Sequence, residues 1–252
     1  MTTHTASRRP AAVLPTAKRV LRQLQHDHRT VAMLIVVPVL LLTLLYYMFS
    51  GNRMIFDRVS IVMVGMFPFI IMFLVTSIAM LRERRTSTLE RLMAGPTAPT
   101  QLIGGYGLAF GLAAAVQGLI VAGALYWPFG VRPAGGIGAI VGIAVLTALV
   151  GVGLGLLCSA FARTEFQAVQ MLPVVVIPQI LLCGLFVARD EMTGWLRALS
   201  DVLPLSYAVE GMQQAATHTE ATGTLVRDLL VLAGCVLLAL GLAAATMRRQ
   251  TR

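Results

Sequence analysis

The sequence predicts an all-α integral membrane protein that crosses the bilayer six times, and three observations support this fold class. Of its 252 residues, 57% are hydrophobic and only 12% are charged, which is about half the charged fraction of a soluble domain. Six apolar stretches are each long enough to cross a hydrocarbon core about 30 Å thick. Basic residues also concentrate in alternate loops, as they do in multi-pass proteins.

Six predicted spans organise the chain. They cover residues 31–49, 59–81, 102–126, 134–161, 168–187 and 229–247. We expect three parts: a cytoplasmic tail with an amphipathic helix (1–30), a six-span transmembrane domain (31–247) and a short cytoplasmic tail (248–252).

Orientation follows from the basic residues. If the N-terminus is cytoplasmic, 14 of the 20 Lys and Arg residues lie on that side and 6 lie outside. An excess of Lys and Arg marks cytoplasmic loops, so we expect both termini inside a plasma (inner) membrane. The formal net charge of +9 is then a topology signal, and it does not indicate nucleic-acid binding.

The segment before the first span has helical periodicity. Its apolar residues recur every three or four positions, with basic residues between them: Val13, Ala17, Val20, Leu21 and Leu24 against Lys18, Arg19 and Arg22. This pattern predicts an amphipathic helix on the membrane surface, with membrane lipid as its partner. The alternative is a disordered basic tail.

The predicted spans contain no Asp, Glu, Lys, Arg or His. Ion-coupled transport and intramembrane hydrolysis are therefore disfavoured, because both need ionisable groups at membrane depth. The single Lys18 follows Ala17, so no Gly-Lys pair of a P-loop exists. We expect no catalytic, metal or cofactor site in this chain, and ATP on a partner subunit if transport is active. Three isolated cysteines in apolar stretches are expected to be buried small residues.

Glycines in the third and fourth spans form GxxxG pairs, which allow close helix approach in lipid. The pairs are Gly107/Gly111, Gly138/Gly142 and Gly151/Gly155. Packing within one chain and a seam between two copies are both consistent with this pattern.

A short cytoplasmic helix is predicted between the second and third spans. Ser87 and Glu90 form a capping box, so the helix should begin at Thr88 and end before the Gly95-Pro96 pair. Leu89, Leu92 and Met93 would share one face. A helix of about two turns is unstable alone in water, so this face lies either against the membrane or in a groove of a cytoplasmic partner.

The fifth span and the segment after it have unusual composition. Pro173 and Pro178 each remove a backbone hydrogen bond, which predicts a kinked helix. Gln167 and Gln170 lie one turn apart and could contact substrate or tie helices together. Residues 188–224 are both apolar and acidic. They are either short helices re-entering the outer leaflet or an interfacial loop anchored by Trp195.

Three segments resemble a known family. The sequence R-E-R-R-T-S-T-L-E-R-L over residues 82–92 resembles the R-E-x-x-x-G-T-L-E-x-L segment of ABC-2 type exporter permeases, with Ser87 in place of the usual Gly. Residues 159–168 are similar to the segment entering that family's fifth span. L-C-G-L-F at 182–186, W-L at 195–196 and L-P-L-S-Y-A at 203–208 resemble a third pattern of the family. The similarity follows the family's order over nearly the whole chain, and the compact daunorubicin-resistance and nodulation-exporter type is most similar.

The resemblance implies that membrane transport and ATP hydrolysis are carried out by separate subunits. Two permeases, either two copies or a paralogous pair, would each dock on a separate ABC ATPase subunit through the short cytoplasmic helix. The implied contact residues are Glu83, Arg84, Ser87, Thr88, Leu89, Glu90, Arg91, Leu92 and Met93, and the candidate substrate path comprises Gln167, Gln170, Pro173 and Pro178. The apolar spans favour export of an amphiphile such as a drug, antibiotic or lipid-like molecule. The alternatives are polysaccharide export, a passive channel and a non-transporting scaffold or assembly factor.

Overall fold

The structure, a computed structural model, describes residues 13–85 and 99–250, with side chains over 13–84 and 101–246. Within these residues the backbone forms nine α-helices and one 3₁₀ turn at Arg189–Glu191. The helices are α1 (Val13–His26), α2 (His28–Met48), α3 (Arg53–Arg85), α4 (Pro99–Tyr126), α5 (Gly136–Cys158), α6 (Glu165–Leu182), α7 (Gly194–Val202), α8 (Pro204–Thr217) and α9 (Gly223–Gln250).

Six of these helices, α2 to α6 and α9, are long and apolar enough to cross a membrane. The prediction of an all-α, multi-pass membrane protein with six spans is therefore confirmed. Five of the six spanning helices begin three to six residues before the predicted apolar runs, and α5 begins two residues after its run. Helix α3 includes Asp57, and α9 includes Arg227 and Asp228. The predicted spans themselves contain no Asp, Glu, Lys, Arg or His, and these charged residues lie in the first turns, by which the two helices extend beyond the predicted spans.

Helix α5 is the centre of the bundle. An added Cβ at Gly151 would lie 2.4 Å from the carbonyl oxygen of Phe69 in α3, and one at Gly155 would lie 2.5 Å from that of Phe73. These two glycines therefore allow the backbones of α3 and α5 to touch, which is packing within one chain. By contrast, a Cβ at Gly138 or Gly142 would have no neighbour within 4 Å.

Because the spanning helices alternate in direction, the bundle has two distinct ends. We call the "α1 end" the one that holds α1, the start of α2 and the end of α3, and the "α8 end" the opposite one. Helix α1 packs closely on α4, since a Cβ at Gly105 would lie 2.6 Å from Thr16. Ala17 and Val20 are its buried residues, so the predicted apolar face of α1 lies against the bundle.

Residues 188–224 contribute the 3₁₀ turn and helices α7 and α8. Helix α8 is buried among the spanning helices. Its Met212 contacts Gly65 of α3, twelve residues and so about 18 Å from the start of that helix. The re-entrant segment stays a prediction, and this depth favours it over a purely interfacial loop.

Candidate functional site

The predicted partner-contact segment follows directly after α3. Of its residues, Glu83 and Arg84 lie in the last turns of α3, with Glu83 buried and Arg84 half-buried. Ser87, Thr88, Leu89, Glu90, Arg91, Leu92 and Met93 lie outside the described residues, so the short helix and its apolar face stay a prediction. What the structure does describe is how the α3 end of this segment is anchored.

Glu83 is bound from within the chain. Its carboxylate accepts hydrogen bonds from the Arg19 guanidinium of α1 at 3.1 and 3.3 Å, and the same guanidinium donates to the Tyr106 hydroxyl of α4 at 2.7 Å. The Glu83 side chain is 7% exposed and that of Arg19 is 37% exposed. The carboxylate therefore faces α1 and α4 in this structure, and the triad joins the end of α3 to both helices.

The electrostatics of the triad keep Arg19 charged. Partial burial lowers the pKa of Arg19, but its contacts with Tyr106 and Glu83 raise it, and the net direction is upward. The Arg19 guanidinium also lies 5.9 Å from the centre of the Tyr106 ring, within range of a cation–π contact. The charged Arg19 guanidinium donates to both the Glu83 carboxylate and the Tyr106 hydroxyl. These contacts hold the three helices in a fixed arrangement, because charge-assisted hydrogen bonds are directional and strong.

A second tie links the end of α3 to α6. Arg82 donates to both oxygens of Glu165, the first residue of α6, at 2.9 and 3.1 Å. Both side chains are about half exposed, so this ion pair is weaker than the Glu83 triad. The last turn of α3 is thus joined to α1, α4 and α6 by two adjacent residues.

The candidate substrate-path residues all lie in α6. The Gln167 side chain accepts a hydrogen bond from the Arg163 backbone N–H at 2.8 Å, while the Gln167 N–H donates to the Thr164 hydroxyl at 3.1 Å. This is a cap of the α6 N-terminus. The T-x-x-Q spacing could have revealed it in the sequence. Gln170 is exposed. A role in the substrate path stays a prediction for both glutamines.

Pro173 and Pro178 lie inside α6, which runs unbroken from Glu165 to Leu182. Both prolines are exposed on the helix surface. Gln179 directly follows Pro178, and its side chain donates to the Val175 carbonyl at 3.0 Å. A side chain thus supplements the backbone hydrogen bonds where the prolines weaken them. Among the described residues, the Gln179 side-chain oxygen is buried without a hydrogen-bond partner.

An ion network at the α8 end was missed by sequence reasoning. Arg189 pairs with Asp201 and Glu210, and Arg227 pairs with Glu210 at 3.0 Å and with Asp228 at 2.7 Å. Desolvation of Arg189 lowers its pKa, but the carboxylates outweigh this effect and the pKa is raised. The network joins α7, α8 and α9. Only the alternation of Arg with acidic residues in 188–228 hinted at it.

Within the described ranges, no cluster of three or more His, Cys, Asp or Glu side chains could hold a metal ion. The ion pairs at both ends instead connect helices, so the geometry described here suits transmission of movement between helices.

Comparisons with known proteins agree with this architecture. A family model described as ABC-2 type transporter matches residues 14–216. A probable multidrug ABC transporter permease of Escherichia coli is 29% identical over 152 residues, which are 60% of this chain and 41% of that protein. A linearmycin resistance permease protein of Bacillus subtilis is 26% identical over 157 residues, 62% of this chain and 40% of its own length. The chain thus spans less than half the length of these relatives.

Proposed function

Because the chain belongs to the ABC-2 type transporter family, we propose that it is the membrane-spanning permease subunit of an ATP-driven exporter. The observation that carries the proposal is the family match over residues 14–216, which includes five of the six spanning helices. ATP hydrolysis would take place on a separate ATPase subunit. The α1 end would face the cytoplasm of the cell, with this chain in its plasma (inner) membrane.

The ties at the end of α3 suggest how a partner's movement would enter the bundle. An ATPase that docks on residues 86–98 would pull on the last turn of α3. Glu83 would pass that movement to α1 and α4, and Arg82 would pass it to α6. In this scheme Glu83 is a positioning residue inside the chain, and partner contact falls to the residues that follow it.

The proposed substrate is an amphiphile, such as a drug, antibiotic or lipid-like molecule. The names of the relatives, multidrug permease and linearmycin resistance permease, support this class. Polysaccharide export and a non-transporting scaffold remain the alternatives. A second copy or a paralogue would complete the path, and we expect it to cover part of the exposed apolar face of α6, where Val174, Ile177 and Leu181 lie.

The decisive experiment tests docking and export together. Replacing Leu89 and Leu92 by Ala should weaken ATPase co-purification by about a hundredfold or more, since each buried Leu contributes roughly 1.5–3 kcal/mol. The matched control is Leu237→Ala with Leu238→Ala on α9, which removes the same groups from exposed positions. A well-expressed Leu89/Leu92 variant that co-purifies and exports at wild-type levels would contradict the coupling assignment.

Orientation is tested separately. Single cysteines at Ser87 and Thr217, in a background without Cys158, Cys183 and Cys235, are labelled in intact cells with an impermeant reagent. We expect labelling at position 217 and protection at position 87. The reverse pattern would overturn the proposed topology while leaving the family assignment untouched.

A further inference from the structure

A groove at the α1 end separates the start of α2 from the end of α3. Its volume is about 440 Å³, within the range of roughly 300–1,000 Å³ that is usual for small-molecule sites. Helix α1 packs on α4 and so closes one side, with Val20 and Leu24 in the wall. Tyr106 and Phe110 of α4 form part of the floor. The remaining side lies open between α2 and α3.

The lining of the groove is graded from polar to apolar. Gln23, Asp27 and Arg29 lie near the turn between α1 and α2, at the mouth, whereas Leu74 and Ile78 of α3 lie deeper. Leu74 is eight residues from Arg82, the charged lining residue near the end of α3, which is about 12 Å along the helix axis. The groove therefore has a polar mouth at the membrane surface and an apolar interior, which is the polarity of a membrane lipid.

Some charged side chains at the mouth of the groove have an oppositely charged partner, and others do not. Arg82 pairs with Glu165, and Glu83 pairs with Arg19. Asp27 accepts the Thr30 hydroxyl at 2.7 Å and the Thr30 N–H at 3.2 Å. Among the described side chains, Arg29 has no carboxylate partner and is exposed.

Exposed basic residues on α1 extend this positive surface. Lys18 and Arg22 are exposed and likewise have no carboxylate within ion-pair distance among the described side chains. The Asp27 carboxylate at the mouth also has no cation within ion-pair distance among the described side chains, and it is held by Thr30. The exposed cations Lys18, Arg22 and Arg29 outnumber this one carboxylate, so the surface around the mouth favours an anionic ligand. Anionic lipids give the cytoplasmic leaflet its negative potential and attract such basic segments.

We propose that this groove binds one anionic phospholipid of the leaflet at the α1 end, with an acyl chain between α2 and α3 and its phosphate at Arg29. The bound lipid would fill the gap beside α1 and hold that helix against α4. The choice of an anionic lipid rests on the orientation proposed above, in which this end faces the cytoplasm. Binding itself needs neither an ATPase nor export, so it can fail or succeed independently of the proposed function.

The test uses the purified full chain in nanodiscs of phosphatidylcholine doped with phosphatidylglycerol carrying a photoreactive acyl chain. After irradiation, peptide mass spectrometry should locate adducts around Met33 and Ile78. Ile78→Trp, which fills the groove, should reduce labelling at least tenfold. Arg29→Glu is a change at an exposed position that leaves the packing intact. It should reduce the preference for phosphatidylglycerol over phosphatidylcholine at least about fivefold, since each basic residue near the surface contributes about 1 kcal/mol.

Two matched variants serve as controls. Leu237→Trp adds the same bulk at an exposed position of α9, and Arg197→Glu reverses an exposed charge on α7; neither should alter labelling. Equal labelling of Ile78→Trp and Leu237→Trp would show ordinary lipid contact and overturn the proposal. So would stronger competition by oleate than by unlabelled phosphatidylglycerol, or a cross-link to a second copy in place of lipid.

Discussion

Two pairs of spanning helices in this bundle differ sharply in burial although all four are apolar. In the most apolar 18-residue windows of α3 and α5, 67% and 61% of the residues are buried, whereas in α2 and α6 only 17% are. The inner pair approaches through Gly151 and Gly155 of α5. Prolines occur in both pairs: α3 contains Pro68 and α2 contains Pro38, whereas α6 contains two, Pro173 and Pro178. Glycines at the contact thus mark the rigid centre of the bundle, and we expect α6, which combines two exposed prolines with little burial, to bend more readily.

The comparison also shows where movement can take place. Helices α3 and α5 are in backbone contact at Gly151. Because this contact is close-packed, the two helices cannot shift relative to each other without a steric clash. Helix α6 is tied at both ends, by the Arg82–Glu165 pair at its start and by the Ser200 hydroxyl, which donates to the Leu182 carbonyl at 2.7 Å, at its end. Its freedom therefore lies in bending at Pro173 and Pro178 between these two ties. Substitutions on the inner pair should therefore affect stability first, and substitutions on the outer pair should affect transport first.

The largest expected effect is on α5. Gly151→Ala places a Cβ against the backbone of α3, which cannot move away without opening the bundle, so we expect a loss of about 3 kcal/mol or more. Gly138→Ala adds the same methyl group on the same helix at an open position, and it should be neutral or slightly stabilising. Thermal unfolding of both variants in detergent measures the difference. Equal melting temperatures would show that α3 and α5 are not locked at Gly151.

The next effect is at the end of α3. Glu83→Gln removes the carboxylate partner of Arg19, and a loss of about 2 kcal/mol is expected because Glu83 is buried while Arg19 is partly solvated. Glu165→Gln breaks the exposed pair with Arg82 and should cost at most about 1 kcal/mol. A double-mutant cycle of Glu83→Gln with Arg19→Met isolates the pair itself. A coupling free energy near zero would mean that Glu83 does not anchor α1.

This triad illustrates what the sequence could and could not predict. The span count, the approximate ends and the amphipathic α1 follow from periodicity and length. The hydrogen-bonded contact among Arg19, Glu83 and Tyr106 could not be predicted in this way. It joins positions up to 87 residues apart, and no local sequence pattern relates them. The R-E motif instead suggested a contact with a partner, whereas the structure turns Glu83 inward.

The exact starts of the helices were not predicted, for a related reason. Hydropathy places the start of the last span at residue 229, but α9 begins at Gly223. Asp228 is fully buried there beside Arg227. In a hydropathy profile a charged residue marks the end of an apolar run. In the folded chain an oppositely charged neighbour, here Arg227 beside Asp228, allows the helix to extend past that point. By contrast, the helix cap formed by Thr164 and Gln167 has a local sequence signature, T-x-x-Q, from which the start of α6 could have been predicted.

A smaller and opposite effect is expected on α6. Pro178→Ala restores a backbone donor for the Val174 carbonyl, so the helix should become stiffer and the protein more stable by about 1 kcal/mol. Under the proposed function, export should fall even though stability rises. Pro204→Ala is the control, since Pro204 occupies the first turn of α8, where no donor is needed. Export that is unchanged in a stabilised Pro178→Ala variant would refute a role for bending of α6.

The smallest effect is at the start of α2. Asp27 caps this helix through the Thr30 N–H and hydroxyl, so Asp27→Ala should cost about 1 kcal/mol, whereas Asp27→Asn should retain most of the cap. The hydrogen bonds from Thr30 lower the pKa of Asp27. The unfolded chain therefore takes up the proton first as the pH falls, and the carboxylate's contribution is complete above the unfolded pKa of about 3.9 and is lost as the pH falls through the lower folded value. Unfolding of wild type and Asp27→Asn at neutral pH and near pH 3 should show a gap that narrows in acid. A gap that widens in acid would contradict the cap.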